Sequence, residues 1–256
     1  MKSESADAVI IGAGVMGCSV AFHLAAAGGP GSLRIAVVER DPSYSKCATT
    51  RSVGGLRQQF STPECIAMSQ ATLDLVRRLA REGGPGHDLG FREQGYLLLA
   101  SPDGAAALAG NAALQRQCGA DIALLQPHAL AARFPWLDPA GVVAAGFGQS
   151  GEGWLDPALL LQHLKSAAQA LGVRFVAGNA TAMERDGRII GAVSLADGRR
   201  IPCGHVIVAA GPQAGAAANM AGIDLPVEPR KRFVFVFDCR EATAALNELW
   251  PLRDDL

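Results

Sequence analysis

Residues 8–28, reading AVIIGAGVMGCSVAFHLAAAG, constrain this chain more than any other stretch. A short apolar run, Ala8-Val9-Ile10-Ile11, has the composition of a buried strand. It ends in Gly12-Ala13-Gly14-Val15-Met16-Gly17, a G-x-G-x-x-G that leads directly into a stretch of helical period. The three glycines serve different physical ends. Gly12 permits the tight turn out of the strand, Gly14 lets a pyrophosphate approach the backbone, and Gly17 allows close helix–strand packing. The N–H groups and positive dipole end of the helix then face the phosphates. Glycines alone are a weak signal. Here a second apolar run, Arg34-Ile35-Ala36-Val37-Val38, follows and ends in Glu39, an acid placed to take ribose hydroxyls. Strand, glycine turn, helix, strand and acid together predict a dinucleotide site. The competing reading is a glycine-rich turn and a surface acid that bind no nucleotide.

Of the 256 residues 49% are hydrophobic, enough for a sizeable core in one large domain or two modest ones. The formal charge of −1 argues against nucleic acid or an anionic membrane surface as the main ligand. No run approaches the roughly 18 uncharged apolar residues of a spanning helix. The opening MKSESADAV has neither signal-peptide nor transit-peptide character, so the sequence reads as cytoplasmic. The six cysteines are scattered without a C-x-x-C and the five histidines are dispersed, which predicts no metal site and no disulfide framework.

Past Glu39 and Arg40, residues 43–59 form a polar stretch carrying Thr49, Thr50, Ser52, Arg51, Arg57 and the pair Gly54-Gly55. It reads either as a loop wrapping a phosphorylated ligand or as a solvated loop. The periodicity then predicts a helix opened by Pro63 and closed at Gly83-Gly84-Pro85, a strand over 91–100, a helix over 103–118 and a strand at 122–125. A short helix at 127–134 and a small-residue strand over 141–147 follow. Asp156-Pro157 starts another helix, with Asp156 as cap. Val173–Val176 reads as a strand, and Asp186-Gly187 and Asp197-Gly198 as the turns of a meander through 180–185, 189–195 and 199–202. A separate strand is expected over 205–211, and one more over 233–237.

Four stretches in this order, VIIGAGVMGCSVAFHLA, VVER, TTRSVGGLRQQF and VIVAAGPQAG, resemble the FAD-dependent oxidoreductases of the D-amino-acid oxidase, glycine oxidase and sarcosine oxidase group. TTRSVGGLRQQFSTPE and LPVEPRKRFVFVF look most like the FAD-dependent oxidoreductase-domain proteins of mitochondria and bacteria. The resemblance implies an α/β fold: a Rossmann-like FAD-binding domain of glutathione-reductase type with a β-meander, and an interleaved mixed-sheet substrate domain, incomplete at the C-terminus. We expect the first over residues 1–90 and 150–225 and the second over 91–149 and 226–256. The resemblance places FAD against Gly12, Ala13, Gly14, Val15, Met16 and Gly17, with Glu39 and Arg40 at its adenosine end. Thr49, Thr50, Arg51, Ser52, Gly55 and Leu56 line its middle and flavin, Ala180 presents backbone to the adenine, and Ala210 and Gly211 pass close by.

It further implies that Arg57 holds a substrate carboxylate, against the alternative of a structural salt bridge. Cys47-Ala48-Thr49-Thr50 stands where covalent-flavin relatives carry histidine, so non-covalent FAD is expected. No catalytic side chain is expected, because the cofactor carries the chemistry of oxidising the C–N bond of a small amine or amino acid. Members of the group continue beyond the length of this chain, which implies a missing segment or a companion chain. Two alternatives stand beside this reading: an NAD-dependent dehydrogenase, and a flavin-binding assembly or interaction protein.

Overall fold

The computed structural model describes residues 5–82 and 89–235. The chain divides into two compact units, residues 1–53 with 156–232 and residues 54–155 with 233–256. The first unit opens with β1 (Ala6–Ile11), α1 (Val15–Gly28) and β2 (Ile35–Glu39). The second then supplies β3 (Gly55–Leu56), α2 (Pro63–Glu82), β4 (Tyr96–Ala100), α3 (Ala105–Gln117), β5 (Ile122–Leu125), α4 (Pro127–Arg133), β6 (Ala144–Gly148) and β7 (Gly153–Trp154). The first resumes with α5 (Pro157–Ala170), β8 (Arg174–Ala177), β9 (Ala180–Asp186), β10 (Ile189–Leu195), β11 (Arg200–Val208) and α6 (Ala214–Asn219).

The first unit is built on a six-stranded mixed sheet in the order β8-β2-β1-β11-β10-β9. Its left half is parallel, with Ala8 opposite Ile35 and Ile11 opposite Val208. Parallel strands are covered on both faces, and β1 and β2 accordingly read as unbroken apolar runs. Val9, Ile10, Ala36 and Val37 are fully buried, and each large aliphatic side chain removed from water stabilises the fold by about 1.5–3 kcal/mol. Helices α1 and α5 pack together. Asp156 starts α5 as anticipated: its Oδ1 accepts from Ala158 N (2.7 Å) and Leu159 N (3.1 Å).

The right half is the meander. Here the structure corrects the expectation of two strands over 199–202 and 205–211. A single nine-residue strand, β11, pairs antiparallel with β10 through Arg200, Ile201 and Pro202, then parallel with β1 from Cys203 to Val208. Pro202 and Gly204 look like breakers in the sequence. Gly204 instead brings the strand close to β1, since a Cβ there would sit 3.2 Å from the Asp7 carbonyl oxygen. Residues 209–211 leave the strand, and Gly211 begins a short 3-10 turn.

The second unit holds a three-stranded antiparallel sheet, β4-β6-β5, and the small β3–β7 pair. Strand β4 starts at Tyr96 rather than Phe91, because residues 91–95 turn around the Arg92–Trp154 bridge. Compactness draws the borders at 53/54 and 155/156 rather than at 90/91 and 149/150. Pairing of β3 with β7 and contact of α2 with α3 bring residues 54–82 into the second unit. The expected strand over 233–237 is not formed by Phe233, Val234 and Phe235; its last two residues lie outside the described residues, as do Gly83-Gly84-Pro85. Among the described residues no helix is long and apolar enough to cross a membrane, no group of acids, histidines and cysteines has metal-ligand geometry, and the five cysteines are free.

Candidate functional site

In the first unit the expected cofactor residues gather at the carboxyl ends of neighbouring parallel strands, where open α/β sheets take their ligands. Gly12 follows β1 at φ +103°, and a Cβ on it would lie 2.9 Å from the Ala209 carbonyl carbon. Gly17 is required just as strictly, since its Cβ would lie 2.9 Å from the Gly12 carbonyl carbon and overlap the attached oxygen. Gly14 differs. Its φ of −65° suits any residue, and a Cβ would meet only the Thr49 hydroxyl at 3.3 Å and the Cys47 sulfur at 3.5 Å. The fold itself therefore explains Gly12 and Gly17 but not Gly14, whose bare backbone leaves room for a ligand.

Around that turn, Glu39 Oε2 accepts from Ala13 N (2.8 Å) and Oε1 from Asp41 N (2.9 Å). The acid thus bridges the glycine turn and the end of β2, with lone pairs left for hydroxyl donors. Val15 N donates to Thr49 Oγ1 (3.1 Å), and the first intrahelical bond of α1 runs from Cys18 N to Gly14 O. The N–H groups of Met16 and Gly17 precede it and lack an intrahelical acceptor. Met16 and Arg40 are exposed. Cys18 donates its thiol to Ala13 O (3.2 Å), and burial pushes its pKa up to about 12, so it is an inert packing residue.

Residues 43–52 form no strand or helix, yet they are cross-linked rather than loose. Asp41 accepts from the Ser43 and Ser45 hydroxyls and from Lys46 N, and these bonds lower its pKa to about 2. Thr50 Oγ1 donates to Tyr44 O (2.8 Å) and Cys47 O (3.1 Å). Arg51 spends its guanidinium on Ser45 O, and Ser52 N donates to Thr49 O (3.0 Å). Thr49, Thr50, Arg51 and Ser52 are therefore fixed against one another, with Thr49 tied to the glycine turn. At the far ends, Ala180 opens the edge strand β9 opposite Leu195. Ala209 N donates to Ile11 O (2.8 Å), which sets Ala210 and Gly211 beside the glycine turn. A Cβ on Gly211 would meet nothing within 4 Å.

The remaining expected residues belong to the second unit. Gly55 and Leu56 form β3. A Cβ on Gly55 would meet the Tyr96 ring and hydroxyl at 3.2 Å. The Arg57 guanidinium lies 5.1 Å from the Phe60 ring centroid and 5.8 Å from that of Tyr96. Among the described residues no carboxylate pairs with it. Sequence reasoning singled out neither ring, and it also missed Glu152. This acid is 0% exposed, and removal from water raises its pKa, a rise opposed by three donated hydrogen bonds and the charge of Arg57. Its one sequence signal is an acid set among Gly148, Gly151 and Gly153.

The protein-family profile for FAD dependent oxidoreductases (DAO) matches residues 7–256. The chain belongs to this family. The chain is 37% identical over 279 residues to FAD-dependent oxidoreductase domain-containing protein 1 of Bos taurus, covering 93% of this chain and 56% of that one. Mitochondrial dimethylglycine dehydrogenase of Rattus norvegicus is 28% identical over 98% of this chain and 29% of its own length. Among solved structures, L-proline dehydrogenase from P. horikoshii superposes with a TM-score of 0.75 at 25% identity, over 86% of this chain and 57% of that one. The chain thus spans about half the length of the relatives named FAD-dependent oxidoreductase domain-containing protein 1. The family is FAD-dependent, which sets aside the NAD reading. The site fits that cofactor: an opening at Gly14 that no protein atom demands, helix N–H groups without intrahelical partners, and an acid, Glu39, at the end of β2.

Proposed function

We propose that this chain holds FAD non-covalently and serves an oxidoreductase that oxidises the C–N bond of a small amine or amino acid. The observation that carries the reading is Arg57, a guanidinium set between two aromatic rings with no carboxylate partner among the described residues. Arginine presents its donors in a planar fork matched to a carboxylate, and a substrate amino acid supplies that partner. The names of the related proteins, L-proline dehydrogenase and dimethylglycine dehydrogenase, support substrates of this class.

FAD, when bound, supplies the acceptor for the hydride leaving the carbon that bears the amine. The protein's own part is binding and orientation. Gly12, Gly14 and Gly17 with the first turn of α1 receive the pyrophosphate. Glu39 accepts from the ribose hydroxyls while its bond to Ala13 N fixes the turn. Thr49 holds Val15 N and so sets the pitch at which the helix meets the phosphates. Arg57 takes the substrate carboxylate, and the Phe60 and Tyr96 rings, 5.1 and 5.8 Å from the guanidinium, hold it by cation–π contact while it stays exposed to an incoming anion. No side chain is assigned a nucleophilic or acid–base role.

Arg57→Ala is expected to raise KM for the best amino-acid substrate tenfold or more, with bound FAD per chain unchanged. Anaerobic bleaching of the flavin bands by sarcosine, glycine, proline or D-alanine identifies that substrate. An unchanged KM would refute the role of Arg57, and flavin that no amine bleaches would favour an assembly or interaction role.

A further inference from the structure

The second unit contains a buried polar cluster that the proposed reaction leaves unused. Glu152 is fully buried, and Gln58 and Gln59 are 5% and 6% exposed. Glu152 Oε1 accepts from the backbone N–H groups of Gln58 and Gln59, the second at 3.1 Å, and Oε2 accepts from Gln59 Nε2 at 2.8 Å. The same Nε2 donates to the Tyr96 carbonyl oxygen at 2.8 Å. Gln59 Oε1 is buried without a partner. The amide is thus oriented by what its nitrogen holds, since the reversed orientation would point an oxygen at two acceptors. One carboxylate, through one amide, ties the backbone that follows Arg57 to the strand that carries Tyr96.

The backbone makes room for this arrangement. A Cβ on Gly148 would lie 2.9 Å from Glu152 Cγ and overlap the carboxylate, and one on Gly151 would overlap the Gln58 amide. On the other side of the segment, Ser69 Oγ donates to the Arg57 carbonyl oxygen at 2.5 Å. Residues 57–59 are therefore held from both sides, and the Arg57 side chain rests between Phe60 and Tyr96, whose positions the same bonds set. Burying a carboxylate is costly, and apolar packing would supply cohesion more cheaply. Three convergent donors and a glycine recess are what a single fixed geometry requires.

We propose that Glu152 is a positioning residue, holding the 57–59 segment through its three hydrogen bonds so that Arg57 presents its fork to an anionic substrate. The proposal rests on the carboxylate-binding role of Arg57, and its test separates the two. Positioning and bare charge predict opposite signs. Removing a negative charge near Arg57 would by itself tighten anion binding, whereas loosening the segment weakens it, and misplacement by about 1 Å is enough for effects of order a hundredfold.

The experiment titrates benzoate into the FAD-loaded chain by calorimetry for wild type, Arg57→Ala, Glu152→Gln and Gly148→Ala. It also follows amide hydrogen exchange at Gln58 and Gln59. Glu152→Gln replaces an acceptor by a donor facing donors, and should weaken benzoate tenfold or more and speed exchange at both amides, with FAD retained. Gly148→Ala displaces the carboxylate while keeping both charges, and should act in the same direction. Tighter or unchanged benzoate binding in Glu152→Gln, or unchanged exchange, overturns the positioning role while leaving Arg57 intact. Equal binding by wild type and Arg57→Ala, or no binding by wild type, overturns the Arg57 assignment instead. If Glu152→Gln fails to fold, Gly148→Ala decides, and wild-type affinity in that variant overturns the proposal.

Discussion

The three glycines of the first turn are predicted to separate folding from cofactor binding. Alanine at position 14 keeps an ordinary φ of −65° and meets only two side-chain atoms, at 3.3 and 3.5 Å. Thr49 must yield by a few tenths of an ångström, while the unfolded chain loses entropy worth about 0.4–1 kcal/mol in favour of the fold. The apo stability of Gly14→Ala should therefore stay within about 1 kcal/mol of wild type. Its new methyl occupies the space left for the pyrophosphate, and an overpacking cost of about 1–3 kcal/mol corresponds to roughly 5- to 150-fold weaker FAD binding. Gly17→Ala is the contrast. Its Cβ would lie 2.9 Å from the Gly12 carbonyl carbon, against about 3.5–4.0 Å for an unstrained carbon pair. Helix α1 must then shift by roughly half an ångström or more against a buried strand, so folding itself should lose on the order of 3 kcal/mol. Urea unfolding of the apo chain measures the first quantity, and quenching of FAD fluorescence on reconstitution measures the second. Gly14→Ala losing as much apo stability as Gly17→Ala, or binding FAD as tightly as wild type, would refute the reasoning.

Two further outcomes follow from local chemistry. Asp156→Ala removes the acceptor for Ala158 N and Leu159 N at the start of α5 and should cost about 1 kcal/mol in denaturant unfolding. Glu152 has its folded pKa raised above 4.5, chiefly by burial. The folded state then binds more protons than the unfolded state between the two values, and the stability this group contributes is lost as pH rises through the folded pKa. Wild type should accordingly lose stability relative to Glu152→Gln on going from acid to neutral pH, and parallel stability–pH curves for the two would refute that assignment.

The sequence by itself determined the nucleotide half of the molecule. Buried parallel strands, a glycine turn and an acid closing β2 are local signals, because each depends on the period of hydrophobicity or on a residue's backbone freedom over a few positions. The Asp-Gly turns fixed the meander for the same reason, and Asp156-Pro157 announced α5. The tertiary structure alone decided which residues meet. Pro202 and Gly204 read as breaks, yet pairing on both flanks carries β11 straight through them. Residues 43–52 read as an open loop, yet Asp41, Thr50 and Arg51 lock it with bonds whose geometry no pattern encodes. Arg57 was visible as a cation, but its two rings are 3 and 39 positions away in the chain, and Glu152 lies 94 positions from the Gln58 amide it holds. Hydrogen bonds and ring contacts at that separation depend on how strands are brought together in space. That is why the cofactor turn could be read from one stretch of sequence and the setting of Arg57 could not.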